Sequence, residues 1–273
     1  MDKFLFGVLL TTISLLGVEI KTYGCGVTKI GFLAKLNAAY EIKTSNKVSS
    51  VGRGGCPKGI LLVGANKIDV AAGCRTPIGL EGEEHVKAHH VAWGALVAIV
   101  NSSNPISNIT SQQFKDILKG KIKNWKELGG KNKPIQVYSR IGKTSGVGYS
   151  IRMALFNDRD ASFTKDAKIK GSSGTIRKAV VRGENIFAVD DFVTSSKNKK
   201  IKMLSIDGVK PTKQNIISGK YPYYKPLYLY THGKISNKSK KFLDFALSKE
   251  GQMIISDNNV VNLEEGKNLK IKY

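Results

Sequence analysis

Acidic residues are scarce in this chain: 21 Asp and Glu stand against 44 Lys and Arg, a formal net charge of +23 over 273 residues. That balance disfavours a cationic partner and points to an anionic one: nucleic acid, anionic lipid or a small oxyanion. The basic residues are scattered, however, and the densest run, Lys197-Asn198-Lys199-Lys200, is too short for a nucleic-acid tail. Basic residues do not interleave with aromatics as they do on an RNA-stacking sheet. No nucleic-acid partner is expected, and the charge reads as a solvated lysine-rich surface that can still steer anions. Catalytic signatures are missing too. No GxxxxGK[ST] or GxGxxG run is present, and no GxSxG. The histidines, His85, His89, His90 and His232, have no HxxxH spacing. The acidic pairs Glu83-Glu84 and Asp190-Asp191 are sequence neighbours, which point to opposite faces on a strand and make poor acid–base partners. No catalysis, cofactor or histidine-built metal site is expected.

Long apolar runs are also rare. The exception is the N-terminus, where Met1-Asp2-Lys3 precedes an apolar stretch from Phe4 to Val18. At about 15 residues it suits the core of a signal peptide and is short for a spanning helix. Residues 1–18 are read as a signal peptide, with an uncleaved anchor as the alternative. Gly24-Cys25 hints at lipid attachment, but Tyr23 is bulky and a polar spacer precedes it.

What the chain has is alternation. Ile20–Tyr23, Lys47–Val51 and Ile68–Ala72 read as strands, separated by helical patterns over Thr28–Thr44 and Gly59–Ala65. A long apolar run, Val91–Val100, ends at Asn101-Ser102-Ser103-Asn104-Pro105. Beyond it, Thr110–Lys119 reads as a helix whose Thr110 and Gln113 have capping-box spacing. Strands at Ile135–Ser139, Asn185–Asp190, Ile201–Ile206 and Tyr223–Tyr230 alternate with helices at Ser145–Phe156 and Ser173–Val181, and Lys240–Ser248 with Gly251–Ser256 form a C-terminal helix. Such alternation predicts open α/β sheets with mostly parallel strands. In those sheets ligands bind at the carboxyl ends of strands, in the loops that lead into helices.

Four such loops stand out: Tyr23–Lys29, Gly52–Gly59, Ala72–Pro77 and Ser139–Gly148. Small residues let an anion approach backbone N–H groups, and a following helix N-terminus adds positive potential. The fourth loop also offers the Arg140 guanidinium and hydroxyl groups, a donor set for a tetrahedral oxyanion.

The order of these loops resembles that of the periplasmic phosphate-binding proteins. The most specific stretch runs from Asn108-Ile109-Thr110 to Gly120-Lys121-Ile122-Lys123-Asn124-Trp125-Lys126-Glu127-Leu128-Gly129-Gly130. Ser145-Gly146 after Arg140, Ser218–Pro222, Pro226–Tyr230 and the helix with Ser248-Lys249-Glu250-Gly251-Gln252 are similar to later family segments. The resemblance covers roughly Glu19 to Asn258. It implies a two-lobe type II periplasmic binding fold. Each lobe would be a mostly parallel sheet flanked by helices, with two crossover strands as hinge. Lobe 1 would comprise 19–98 plus 206–273, and lobe 2 99–205. The first crossover would follow Val91–Val100, and the return would lie near Lys202–Tyr228. The implied function is extracytoplasmic or periplasmic capture of phosphate or a similar oxyanion by a monomer, for the membrane subunits of an ABC transporter. The implied ligand set is Cys25, Gly26, Val27, Thr28, Gly55, Cys56, Lys58, Gly59, Cys74 and Arg75 from one lobe, and Arg140, Ser145, Gly146 and Val147 from the other.

All three cysteines, Cys25, Cys56 and Cys74, fall in the first three loops, where the family more often has hydroxyl, small or acidic residues. Three readings stay open: small-residue replacement, a disulfide, with Cys25–Cys74 as its pair and one thiol left over, or a soft-ligand site for an arsenite-like species or a soft metal ion.

Overall fold

The computed structural model describes residues 18–52, 54–140 and 143–272. All of the expected leader except Val18 lies outside the described residues, as do Arg53, Ile141 and Gly142 of the candidate loops.

The apolar run that the sequence marks at Val91–Val100 becomes the longest strand of the molecule. It extends over Val86–Asn101 (β4), and every residue from Val91 to Val100 is buried. A strand buried on both faces needs a continuous apolar stretch rather than alternation. Before it come Ile20–Gly24 (β1), Val48–Ser50 (β2) and Val70–Gly73 (β3). After it come Asn108–Ile109 (β5), Gln136–Arg140 (β6), Lys168–Lys170 (β7), Ile186–Asp191 (β8), Ile201–Met203 (β9), Ser205–Ile206 (β10) and Tyr224–His232 (β11).

The main sheet has the order β2-β1-β3-β11-β4-β8-β6-β7, with β9 also on β4. Within each half, β1–β3 and β6–β8 pair in parallel. β4 joins the halves by changing partners. Val86–Ala95 pairs antiparallel with β11, and Leu96–Ile99 pairs antiparallel with β8. The crossing therefore lies inside the apolar run, not after it. The return falls later than residue 206, because β10 still pairs with β5 and the Asp207 carboxylate accepts from the Ser111 amide. The expected strand Ile201–Ile206 is split at Leu204, whose two sides pair with different partners.

At the crossing the Lys225 ammonium meets the Asp191 carboxylate at 2.9 Å, both side chains fully buried. A Cβ on Gly94 would come within 3.3 Å of that carboxylate, so a residue without one leaves the pair its space. Burial pushes the Asp191 carboxyl above its ordinary value, and the adjacent Lys225 charge works against that shift.

Local signals explain the elements that frame the second half. Thr110 caps the helix Ser111–Lys119 in a reciprocal capping box with Gln113. Asn124 and Glu127 repeat the device for the short turn Trp125–Leu128. That turn buries Trp125 beside Phe187, with its indole N–H donating to the Asn185 carbonyl at 3.2 Å. The motif Asn124–Gly130 is thus a folding signature that anchors the start of β8. The expected C-terminal helix is two, Asn237–Leu247 and Lys249–Asp257, broken where Ser248 caps the second.

Candidate functional site

Strand ends β1, β3 and β6 deliver their following loops to one place, the seam between the halves. A cleft of about 480 Å³ opens there. From the first half it is lined by Gly24–Val27, Lys29, Ile30, Gly52, Gly54–Cys56 and Cys74. From the second it is lined by Arg140, Gly146, Val147, Ser172–Gly174 and Arg177. Among the described lining residues none is a carboxylate, while Lys29, Arg140 and Arg177 bring cationic groups.

The first turns of four helical segments face this space. The helix after β1 begins at Gly26, two residues ahead of the expected start at Thr28. It continues through a π-turn at Lys29–Leu33 into the helix Ala34–Thr44. The second starts at Cys56, three residues earlier than expected, behind Gly55. Neither Cys25 nor Gly55 supplies a side-chain cap. Their first-turn amides therefore lack the side-chain acceptor that usually satisfies them, and they suit an anionic ligand. The helices Gly146–Phe156 and Ser173–Arg182 are capped by Ser145 and Ser172.

Arg140 leaves the end of β6, and its Nη1 donates to the Lys170 carbonyl at 3.1 Å. It is mostly buried, and that burial lowers its guanidinium from the ordinary value while the nearby thiols raise it. Its Nη2 would lie 3.4 Å from a Cβ on Gly55, so it reaches across the seam. Arg177 is steered by the buried Asp190, whose carboxylate it meets at 2.6 Å, and by the Thr194 hydroxyl at 2.9 Å.

The three thiols are free, buried and together. Cys74 Sγ lies 3.6 Å from Cys25 Sγ and 3.7 Å from Cys56 Sγ. The disulfide expected as one reading between Cys25 and Cys74 is not formed. Hydrogen bonds from Cys56 and Cys74, joined by Thr28, hold the Cys25 thiol well below its ordinary value. Donating to Cys25 pushes Cys56 up to about 12 and, with burial, Cys74 well above the usual thiol range.

Of the expected ligand set, the structure brings Cys25, Gly26, Val27, Gly55, Cys56, Cys74, Arg140, Gly146 and Val147 into the cleft. Five residues serve otherwise. The Thr28 hydroxyl donates to the Ala72 carbonyl at 2.9 Å, tying the first helix to β3. The Ser145 hydroxyl accepts from the Gly148 amide. Gly59 is a packing residue: a Cβ there would meet the Tyr23 ring at 2.7 Å. Lys58 is exposed and borders a separate surface groove with Leu61 and His85. Arg75 is the main correction. Its side chain is fully buried and ion-paired with Glu83, and it donates to the Thr76 and Thr144 carbonyls, each at 2.7 Å. It joins the two halves from behind the cleft.

Sequence reasoning missed Ser172, Ser173, Gly174 and Arg177 at the site. The signal was present in Gly171-Ser172-Ser173-Gly174-Thr175, a capped helix start of small residues after β7.

Two α/β halves that share crossing strands and enclose a cationic, amide-lined cleft define a two-lobe solute-binding protein. The chain belongs to the PBP superfamily, whose domain model matches residues 20–250, and within it to the PstS phosphate-binding proteins. The phosphate-binding protein PstS of Borreliella burgdorferi is 30% identical over 239 residues, covering 84% of this chain and 82% of the relative. The PstS of Bacillus subtilis is 31% identical over 182 residues, 66% of this chain, a match that spans only 58% of that relative's length. Among solved structures, a candidate phosphate ABC transporter substrate-binding protein with bound phosphate from Clostridium perfringens superposes with a TM-score of 0.81. Its identity is 26%, and the match covers 89% of this chain and 99% of that one.

Proposed function

We propose that this chain captures inorganic phosphate in the seam cleft and presents it to the membrane subunits of an ABC transporter, acting outside the cytoplasm as a monomer exported by its N-terminal leader. The observation that carries this reading is the donor set: backbone amides at uncapped helix starts, with Arg140 and Arg177, and no carboxylate among the described lining residues. Such donors suit a small, multiply charged oxyanion whose oxygens each accept several hydrogen bonds. The phosphate-bound Clostridium perfringens relative supports the choice of anion. Cys25, Gly26, Val27, Gly55, Cys56 and Cys74 would hold the anion from one lobe; Arg140, Gly146, Val147, Ser172, Ser173, Gly174 and Arg177 would hold it from the other. Among the described residues no helix is long and apolar enough to cross a membrane.

Isothermal titration tests this on protein stripped of endogenous ligand by unfolding and dialysis. One phosphate should bind per chain. Arg140→Ala should weaken phosphate by about 2–5 kcal/mol, the range for removing a charged partner from a desolvated site. Heat with sulfate and none with phosphate would overturn the reading.

A further inference from the structure

The floor of the cleft carries a feature that oxyanion capture does not require. Three separate segments, each following a strand, contribute one cysteine apiece, and the three sulfurs all lie within 4.8 Å of one another. Cys74 stands between the other two, 3.6 Å and 3.7 Å away. Each side chain is buried against bulk solvent, yet each lines the cleft, so the sulfurs are reachable only from the anion's own space. A disulfide would consume two of them and leave the third without a role. Three sulfurs within 4.8 Å of one another form instead the donor set of one soft centre.

The geometry fits such a centre. With bonds from centre to sulfur of about 2.3 Å, three sulfurs stand about 3.8–4.0 Å apart around a tetrahedral or planar centre, and about 3.4–3.5 Å apart around a pyramidal centre that keeps a lone pair. The 3.6 Å and 3.7 Å separations from Cys74 fall between these values. Electrostatics then select among soft species. Lys29, Arg140 and Arg177 line the same cleft without a carboxylate among the described lining residues, so a free metal cation meets a repulsive mouth. A neutral thiophilic hydroxide such as arsenous acid meets no such barrier.

We propose that Cys25, Cys56 and Cys74 form a second ligand site inside the cleft, one that takes a single trivalent arsenic centre through all three sulfurs. The reaction is a condensation without redox change. Three S–H bonds and three As–O bonds break, three As–S bonds form, and each hydroxide leaves as water with one thiol proton. The centre then occupies the floor against which Gly146 closes, since a Cβ on Gly146 would lie 2.5 Å from Cys56 Sγ and 3.0 Å from Cys74 Sγ. Arsenic bound there displaces the anion. The site does not depend on that anion being phosphate.

Native mass spectrometry of the reduced full-length protein with arsenite tests this directly. One arsenic should be gained and three hydrogens lost, and a three-thiol adduct is one water lighter than a two-thiol adduct. The same sample should no longer bind phosphate, while an untreated sample titrated in parallel reports the anion site alone. Cys74→Ala and Cys25→Ala should each weaken arsenite binding by about a hundredfold, because one arm of a three-point chelate is lost. An adduct that retains a hydroxide, or arsenite affinity unchanged in both variants, would overturn the proposal. Loss of phosphate binding in the untreated sample would overturn only the anion reading.

Discussion

Arg75 and Arg140 look alike in the chain, each just past a strand among small residues, yet they do opposite work. Arg140 reaches into the cleft. Arg75 is locked against Glu83, with the Glu83 carboxylate also accepting from the Ile78 amide at 2.6 Å. Removing one member of a buried pair leaves an uncompensated charge. Arg75→Ala should therefore cost about 3–5 kcal/mol in urea unfolding, whereas Arg140→Ala should lose affinity with far less effect on stability. The pair also sets an acid limit. Burial raises the Glu83 carboxyl, but the hydrogen bond from Arg75 and the amide of Ile78 outweigh it, and the net shift is downward. A carboxyl depressed in the folded state contributes stability that is present above the ordinary carboxylate range and is lost as pH falls through the lower folded value. Melting temperature measured against pH should fall less steeply on the acid side in Glu83→Gln than in the wild type. Nothing local in the sequence separated the two arginines. Glu83 reads most naturally with its neighbour Glu84, and only the folded chain turns it toward a residue eight positions earlier.

At the scale of elements, the strands and the capped helices were legible, because Thr110, Ser145 and the apolar runs carry their own signals. The uncapped helix starts were not. Cys25 announces no boundary, and behind Gly55 only Pro57 in the first turn marks a start, so the sequence reading placed those helices two and three residues late. The same silence marks the site, since amides left without a side-chain acceptor are the ones available to a ligand. The helix Gly146–Phe156 meets the opposite half so closely that its first residue has no room for a side chain beside Cys56. Gly146→Ala should hold the halves apart and weaken phosphate by at least about tenfold, a loss of 1.4 kcal/mol or more, with the fold retained. Titration together with small-angle scattering of the phosphate-saturated protein would check it: unchanged affinity and compactness would contradict the tight approach.

For the whole molecule, the charge excess is a matter of rates more than of fold. A net charge of +23 spread over the surface should raise the encounter rate of a small anion. Stopped-flow association of phosphate should slow as ionic strength rises from about 0.01 M to 0.15 M, where the screening length shrinks from about 30 Å to about 8 Å. A flat profile would leave the lysines with a solubility role only.

The continuous strand β4 has a consequence of its own. Its first ten residues belong to one sheet half and its last six to the other, so neither half owns a complete set of strands. Melting one therefore strips the other of the strand they share, and the chain is built to denature as a single cooperative body. A solute held at the seam then protects every strand at once, including edges that never come near it.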